Sequence, residues 1–336
     1  MNTFQAMVLD KVNNQTKLEI KQLNIQDLPK GEVTIRVVYS SVNFKDGLVA
    51  IQNQLVESYP LVPGIDLAGT VVDSTDDRFK TGDEVIVTSY KLGTGHFGGF
   101  SEIARVPAEW VVPLPKGLTL KESMIIGTAG FTAALSVQRL EDNQLETSQG
   151  PVLVAGATGG VGSIAVNILA KRGYDVVAST GKSNEEAYLK GLGAKQIIHR
   201  NEIIDTDQTP IREEKWAGAI DPVGGKTLQY ILSTLKYGGS VATSGLTGGI
   251  DVSTTVLPYI SRGVNWLGID SVECPMKKRL EVWNRLGDDL KPTALNEDMV
   301  NEISLKELPV VLAGILEGKV RGRTLVKLYN DVLLMS

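Results

Sequence analysis

The run Val152-Leu153-Val154-Ala155-Gly156-Ala157-Thr158-Gly159-Gly160-Val161-Gly162 passes straight from four apolar residues into a glycine-rich turn. Unbroken apolar character marks a strand covered on both faces, as in a parallel sheet, because neither side of it meets water. The turn matches a dinucleotide-binding fingerprint with Ala157, Gly159 and Gly162 in its three places. A missing side chain at Gly159 lets a pyrophosphate reach the backbone, and Gly162 lets the next helix close on the strand. That helix, read over Ser163–Lys171, aims its first amides at the phosphates. A second apolar run, Tyr174–Ala178, completes strand, turn, helix and strand in order. A nicotinamide dinucleotide is therefore the first expectation.

On the C-terminal side, runs at 196–198, 217–220 and 239–243 alternate with helical segments, the pattern of a doubly wound parallel sheet. On the N-terminal side, Val33–Tyr39, Ala68–Val72 and Glu84–Val87 read as short strands. Turns such as Pro29-Lys30-Gly31 and Lys80-Thr81-Gly82-Asp83 separate them, which suggests a β barrel or sandwich. Near the end, Arg323–Leu328 is again a strand and is expected to rejoin the first domain, leaving the cofactor domain inserted within it.

A length of 336 residues calls for about two domains. No apolar run approaches the roughly 20 residues that span a bilayer. Met1-Asn2-Thr3-Phe4-Gln5 lacks the basic start and apolar stretch of a secretion signal. The one cysteine, Cys274, cannot form an internal disulfide, which fits a reducing compartment. Net charge is −5 and the basic residues are scattered, which disfavours nucleic acid. The expectation is a cytoplasmic enzyme with neither a membrane nor a nucleic-acid partner.

Several strings narrow this further. They are Ser41-Val42-Asn43-Phe44-Lys45-Asp46, Pro63-Gly64-Ile65-Asp66-Leu67-Ala68-Gly69-Thr70 and Ile126-Gly127-Thr128-Ala129-Gly130-Phe131-Thr132-Ala133. Tyr188-Leu189-Lys190-Gly191-Leu192-Gly193-Ala194, Trp216–Asp221 and Gly322–Lys327 join them. With these the chain resembles, from about Phe4 to Leu328, the medium-chain dehydrogenase/reductase superfamily. The likeness is to its zinc-free, quinone oxidoreductase-like branch containing acryloyl-CoA reductases. The resemblance implies a GroES-like β-rich catalytic domain over residues 1–122 and 292–336, with a Rossmann domain over 123–291 inserted in it. It also implies NADPH-dependent reduction of an activated C=C bond, acryloyl-CoA to propanoyl-CoA, by a homodimer. A quinone or reactive enone and enal reductase stays open as an alternative. So does a non-catalytic NADPH-binding protein with a structural or RNA-binding role.

By the same resemblance, Asn43 and Ile65 stand where zinc-dependent relatives place a cysteine and the histidine. Cys274, His96 and His199 lie far apart in sequence, and a catalytic zinc needs three protein ligands, so no metal is expected. His96 sits in a glycine-rich loop, at a site mouth or merely on the surface. His199 ends a strand.

After the second Rossmann strand an NAD site usually has an acidic residue. This chain has Ser179-Thr180-Gly181-Lys182, a hydroxyl, an open backbone and a cation that suit a 2′-phosphate. The resemblance adds Arg200 as a second cation, which makes NADPH the expected cofactor. It further assigns Thr158, Gly159, Gly160 and Val161 to the pyrophosphate, and Leu246, Ile260 and Ser271 to the nicotinamide half. Phe44 and Gly318 fall at other cofactor-contact positions. Asp221 reads equally as a helix cap or a catalytic group.

For catalysis, Asn43 through its amide, or the backbone of Thr128-Ala129-Gly130, could donate to a thioester oxygen. Phe44 stands where close relatives often have tyrosine, and a phenyl ring gives no proton. Solvent, Lys45, Asp46 or Tyr90 would then supply it. Lys45 and Asp46 also read as a structural ion pair. Arg262 and Lys277-Lys278-Arg279 could meet coenzyme A phosphates or form a solvated face. Val264–Ile269 is either a sheet edge that pairs across a two-fold axis or an internal strand.

Overall fold

Valine, isoleucine and leucine runs bounded by glycine turns build two large sheets, with a two-stranded hairpin beside them. The computed structural model describes residues 3–13, 15–295 and 299–328. In chain order come β1 (Thr3–Val12), β2 (Gln15–Asn24), β3 (Val33–Val42), α1 (Phe44–Ala50), β4 (Asp66–Ser74) and β5 (Glu84–Thr88). Next are β6 (Ile103–Val106), β7 (Val112–Pro113), α2 (Leu120–Asp142), β8 (Val152–Val154), α3 (Gly160–Lys171) and β9 (Val176–Thr180). Then follow α4 (Glu186–Gly191), β10 (Gln196–His199), β11 (Trp216–Asp221), α5 (Gly225–Thr234), β12 (Leu235–Thr243) and α6 (Leu257–Arg262). The chain closes with β13 (Asn265–Gly268), α7 (Met276–Leu286), β14 (Val300–Ile303), α8 (Leu308–Leu316) and β15 (Arg323–Lys327).

Two compact units emerge. One takes the described residues of Met1–Thr128, Val272–Asp288 and Met299–Ser336, the other those of Ala129–Ser271 and Asp289–Asp298. In the second unit six parallel strands lie in the order β10-β9-β8-β11-β12-β13. Counted from β8 that is the doubly wound order 3-2-1-4-5-6, whose reversal lies between β8 and β11. Val152, Leu153 and Val154 are wholly buried, as their unbroken apolar run requires. Helices α3 and α5 pack on this sheet.

In the first unit β14-β15-β3-β4-β5-β7 form one sheet, and β6 also pairs with β3. Its core gathers Ile35, Val37, Leu67, Val85, Phe100 and Leu312. The expected return of the chain is there, since Thr324–Lys327 of β15 run antiparallel to Tyr39–Val42 of β3. Strands β1 and β2 make a separate hairpin that the turn pattern alone does not single out.

The units are cut differently from the expected domains, because residues 272–288 belong with the first. Arg279 explains it. Its side chain is fully buried and donates to Thr88 O and Oγ1, to Val272 O and to Tyr90 Oη.

Candidate active site

In the second unit α3 starts at Gly160, earlier than its apolar pattern suggests, with Gly159 as the residue before its first turn. Glycine there means that no side chain caps the first amides. A Cβ at Gly162 would lie 2.4 Å from Gly156 O and 2.7 Å from Ala157 Cα, so only glycine fits between helix and turn. A Cβ at Gly159 would meet only Gly156 O, at 3.3 Å, and the rest of its surroundings is open.

The expected 2′-phosphate group is contiguous. Thr158 and Thr180 bring their hydroxyls to 3.2 Å, and Lys182 N donates to Thr180 Oγ1 at 3.1 Å. Thr180 pairs with His199 across the β9–β10 ladder, which sets Arg200 beside Gly181. A Cβ on Gly181 would sit 2.7 Å from Arg200 Cδ and Nε, so the guanidinium lies directly on the bare backbone. His199 caps the turn that follows, its Nδ1 accepting from Asn201 N and its own N–H donating to Glu202 Oε1.

Leu246, Ile260 and Ser271 lie on three different segments. Leu246 and Ile260 are 56% and 74% exposed, while Ser271 is buried and accepts from Thr132 Oγ1. Asp221 is not itself the cap of α5. Its carboxylate accepts from Val223 N and Gly224 N and closes the turn ahead of α5, whose cap is Gly224. Burial pushes its carboxyl up to about 6. Thr243, which sequence reading missed, pairs with Asp221 across the β11–β12 ladder, and Ser244, which opens the glycine-rich loop after that strand, donates its N–H to Asp221 O. Their hydroxyls are buried and unpartnered. Two successive hydroxyl residues closing a Rossmann strand were the available signal.

In the first unit a buried polar hub ties α1 to β4 and α2. Asp66 Oδ2 accepts from Ser41 Oγ (2.7 Å), Asn43 Nδ2 (2.8 Å) and Thr128 N (2.9 Å). Its Oδ1 accepts from Thr128 Oγ1 at 2.5 Å. Asp46 accepts from Asn43 N at 2.8 Å and Ile65 N at 2.9 Å. Burial and the nearby Asp66 push the Asp46 carboxyl up to about 7, against the pull of those amides. Arg323 supplies the cation, donating to Ser41 Oγ, Asn43 Oδ1, Val42 O and Ile125 O.

The hub engages several of the candidate catalytic residues. Asn43 directs its amide protons at Ser41 O, Asp46 and Asp66. Thr128 N–H is likewise spent on Asp66. Asp46 is wholly buried and makes no ion pair with Lys45; its oxygens accept from two backbone amides instead. Lys45 is half-buried, and its ammonium makes no hydrogen bond or ion pair among the described residues. Tyr90 Oη donates to Cys274 O and accepts from Arg279. His96 packs its edge on Trp110, its nitrogens 3.1 Å from Phe97 O and 3.2 Å from Lys30 O.

Comparison with known proteins agrees with this layout. The family model of the alcohol dehydrogenase GroES-like domain matches residues 29–116, and that of the zinc-binding dehydrogenase matches 160–283. The acrylyl-CoA reductase AcuI of Ruegeria pomeroyi is 50% identical over 326 residues, 96% of this chain and 98% of its own. The chain belongs to the medium-chain dehydrogenase/reductase family. Among solved members, the Bacillus subtilis protein yhfP with NAD bound superposes with a TM-score of 0.95 at 54% identity, covering 98% of this chain and all of its own. The yhdH oxidoreductase of Salmonella enterica in complex with NADP gives 0.94 at 44% identity, covering 97% of this chain and all of its own.

In this medium-chain dehydrogenase/reductase Asp46 links the two positions that the resemblance assigns to metal ligands in other branches, bonding Asn43 and Ile65 through their amides. Among the described residues no group of three or more His, Cys, Asp or Glu is placed to hold a metal. Phe44 opens α1, and Gly318 follows α8 with φ of 69°. The two helices meet at Gly47, where a Cβ would come within 2.9 Å of Leu316 Cγ.

Proposed function

We propose that this chain is an NADPH-dependent reductase of an activated C=C bond, converting acrylyl-CoA to propanoyl-CoA in the cytoplasm as a homodimer. The observation that carries the reading is the Arg200 guanidinium resting on Gly181 at the end of β9, where an NAD site would have a carboxylate. The open turn at Gly159 and the uncapped first turn of α3 fit a pyrophosphate. The yhdH oxidoreductase with NADP supports the same cofactor, and AcuI supports the substrate.

NADPH held by Thr158, Gly159, Lys182 and Arg200 would supply a hydride for the β-carbon of the enoyl thioester, and the chain would have to neutralise the enolate and protonate its α-carbon. With Asn43, Asp46 and Tyr90 committed elsewhere and Phe44 lacking a proton, the Lys45 ammonium is the remaining donor on α1. A proton leaving Lys45 Nζ for the α-carbon is replaced from water.

A second reading, a quinone or reactive-enone reductase, gains from one observation. Arg279 is buried, and Arg262 donates to Ser233 O, Leu235 O and Arg212 O, so neither is placed to clamp coenzyme A phosphates. Nicotinamide absorbance separates the two, with acrylyl-CoA and benzoquinone in parallel and NADH as control. Saturable thioester turnover well above the quinone rate supports the first reading. An inert thioester beside rapid quinone reduction sinks it.

A further inference from the structure

Ser89 and Tyr90, which follow β5, hold φ of 64° and 51°. Side-chain-bearing residues seldom adopt this conformation, and two in succession persist only where the surroundings over-determine them. Here Ser89 N donates to Ile65 O at 2.8 Å and Tyr90 N to Val272 O at 3.3 Å. Tyr90 is held a third time by Arg279, which bonds its hydroxyl and lies 4.3 Å from its ring centroid.

The strain has a direction. The Ser89 hydroxyl, on a residue only 1% exposed, lies 3.0 Å from Thr128 Oγ1. Thr128 gives its one hydroxyl proton to Asp66 Oδ1, so Ser89 is the donor to Thr128. Asp66 in turn accepts from Asn43 Nδ2, and Asn43 precedes α1, the helix that begins with Phe44 and Lys45. One line of hydrogen bonds thus runs from the strained backbone to the start of α1.

We propose that Ser89 is a positioning residue for the reduction: through Thr128 and Asp66 it fixes the start of α1 and with it the Lys45 ammonium. Glycine would adopt this backbone without strain, so what serine adds at position 89 is its hydroxyl. The inference rests on the reductase reading above and adds a residue that this reading does not name.

The test compares Ser89→Gly, Ser89→Ala and Thr128→Val with the unaltered chain, on whichever of acrylyl-CoA and benzoquinone the latter reduces. Ser89→Gly relieves the strain, so Tm is expected to hold or rise while NADPH affinity stays within about twofold. Its kcat is expected to fall by about tenfold or more, with KM changed less. Ser89→Ala keeps the strain and loses the hydroxyl, and should lose kcat by the same order. Thr128→Val cuts the same line, so the double variant Ser89→Ala with Thr128→Val should be no slower than the slower single variant. Ser89→Gly with unaltered kcat overturns the proposal, as does a loss of kcat that tracks a loss of Tm in every variant. An unaltered chain that oxidises NADPH with neither acceptor overturns the reductase reading and this inference with it, a result read before any variant is made.

Discussion

A Cβ at position 127 would lie 2.5 Å from Ser41 Oγ, 2.6 Å from Asp66 Oδ2 and 2.7 Å from an Arg323 terminal nitrogen, on a backbone with φ of 52°. Three polar atoms fill the space a side chain would need. Gly127→Ala must both strain the backbone and break buried charge-assisted bonds, and is expected to cost about 3 kcal/mol or more in urea unfolding. A change below about 1 kcal/mol would show that the hub can move aside. Asp46 makes a second residue-level prediction. Its folded carboxyl is raised from 3.8 to about 7, so the folded chain holds a proton that the unfolded chain releases. That contribution is complete below about pH 4 and is lost as pH rises through about 7, an interval worth on the order of 4 kcal/mol. Between about pH 4 and 7 the urea midpoint should therefore fall more steeply with pH than in Asp46→Asn, and parallel curves would refute it. None of this was legible in the sequence. Asp46 beside Lys45 suggests an ion pair because neighbours in sequence are the partners one can see. The amide of Ile65 and the hydroxyl of Thr128 reach the two carboxylates only after four segments have folded together.

At the scale of elements, strand and turn chemistry was readable and helix starts were not. The apolar run at 152–155 gave β8, while α3 begins at Gly160, ahead of its apolar periodicity, because the fingerprint glycines themselves form its first turn. The cation at the end of β10 was visible only through the family likeness. The ladder explains it, for Thr180 and His199 are paired and the next residue on each strand is Gly181 and Arg200. Two predictions belong here. Arg200→Ala removes one charge-assisted contact and should lower the NADPH over NADH preference in kcat/KM by about ten- to a hundredfold, leaving NADH turnover nearly unchanged. Gly181→Ala displaces the same guanidinium without removing its charge, since the new Cβ would collide with Arg200 at 2.7 Å. Its preference should fall in the same direction but by less. Equal NADPH preference in all three chains would reject Arg200 as the phosphate ligand.

For the molecule as a whole, the inserted order of the domains followed from two facts of pattern, the glycine turn in mid-chain and a strand at the end. The assignment of residues 272–288 did not, because three consecutive basic residues on a helix look solvated. Burying Arg279 among carbonyls and a tyrosine is a tertiary choice that no local pattern announces. The edge of the second sheet raises the question of assembly. Strand β13 ends the order β10-β9-β8-β11-β12-β13, so one of its sides has no strand partner among the described residues, and Trp266 on it is 44% exposed. An apolar edge without lysine or proline invites pairing with a second copy, which is the homodimer proposed above. Sedimentation equilibrium should then give twice the chain mass. Trp266→Lys, which places a charge on the edge, should shift the chain toward monomer with NADPH affinity retained. A monomeric unaltered chain would remove the dimer outright. A Trp266→Lys chain that stays fully dimeric would keep the dimer but move its interface away from β13.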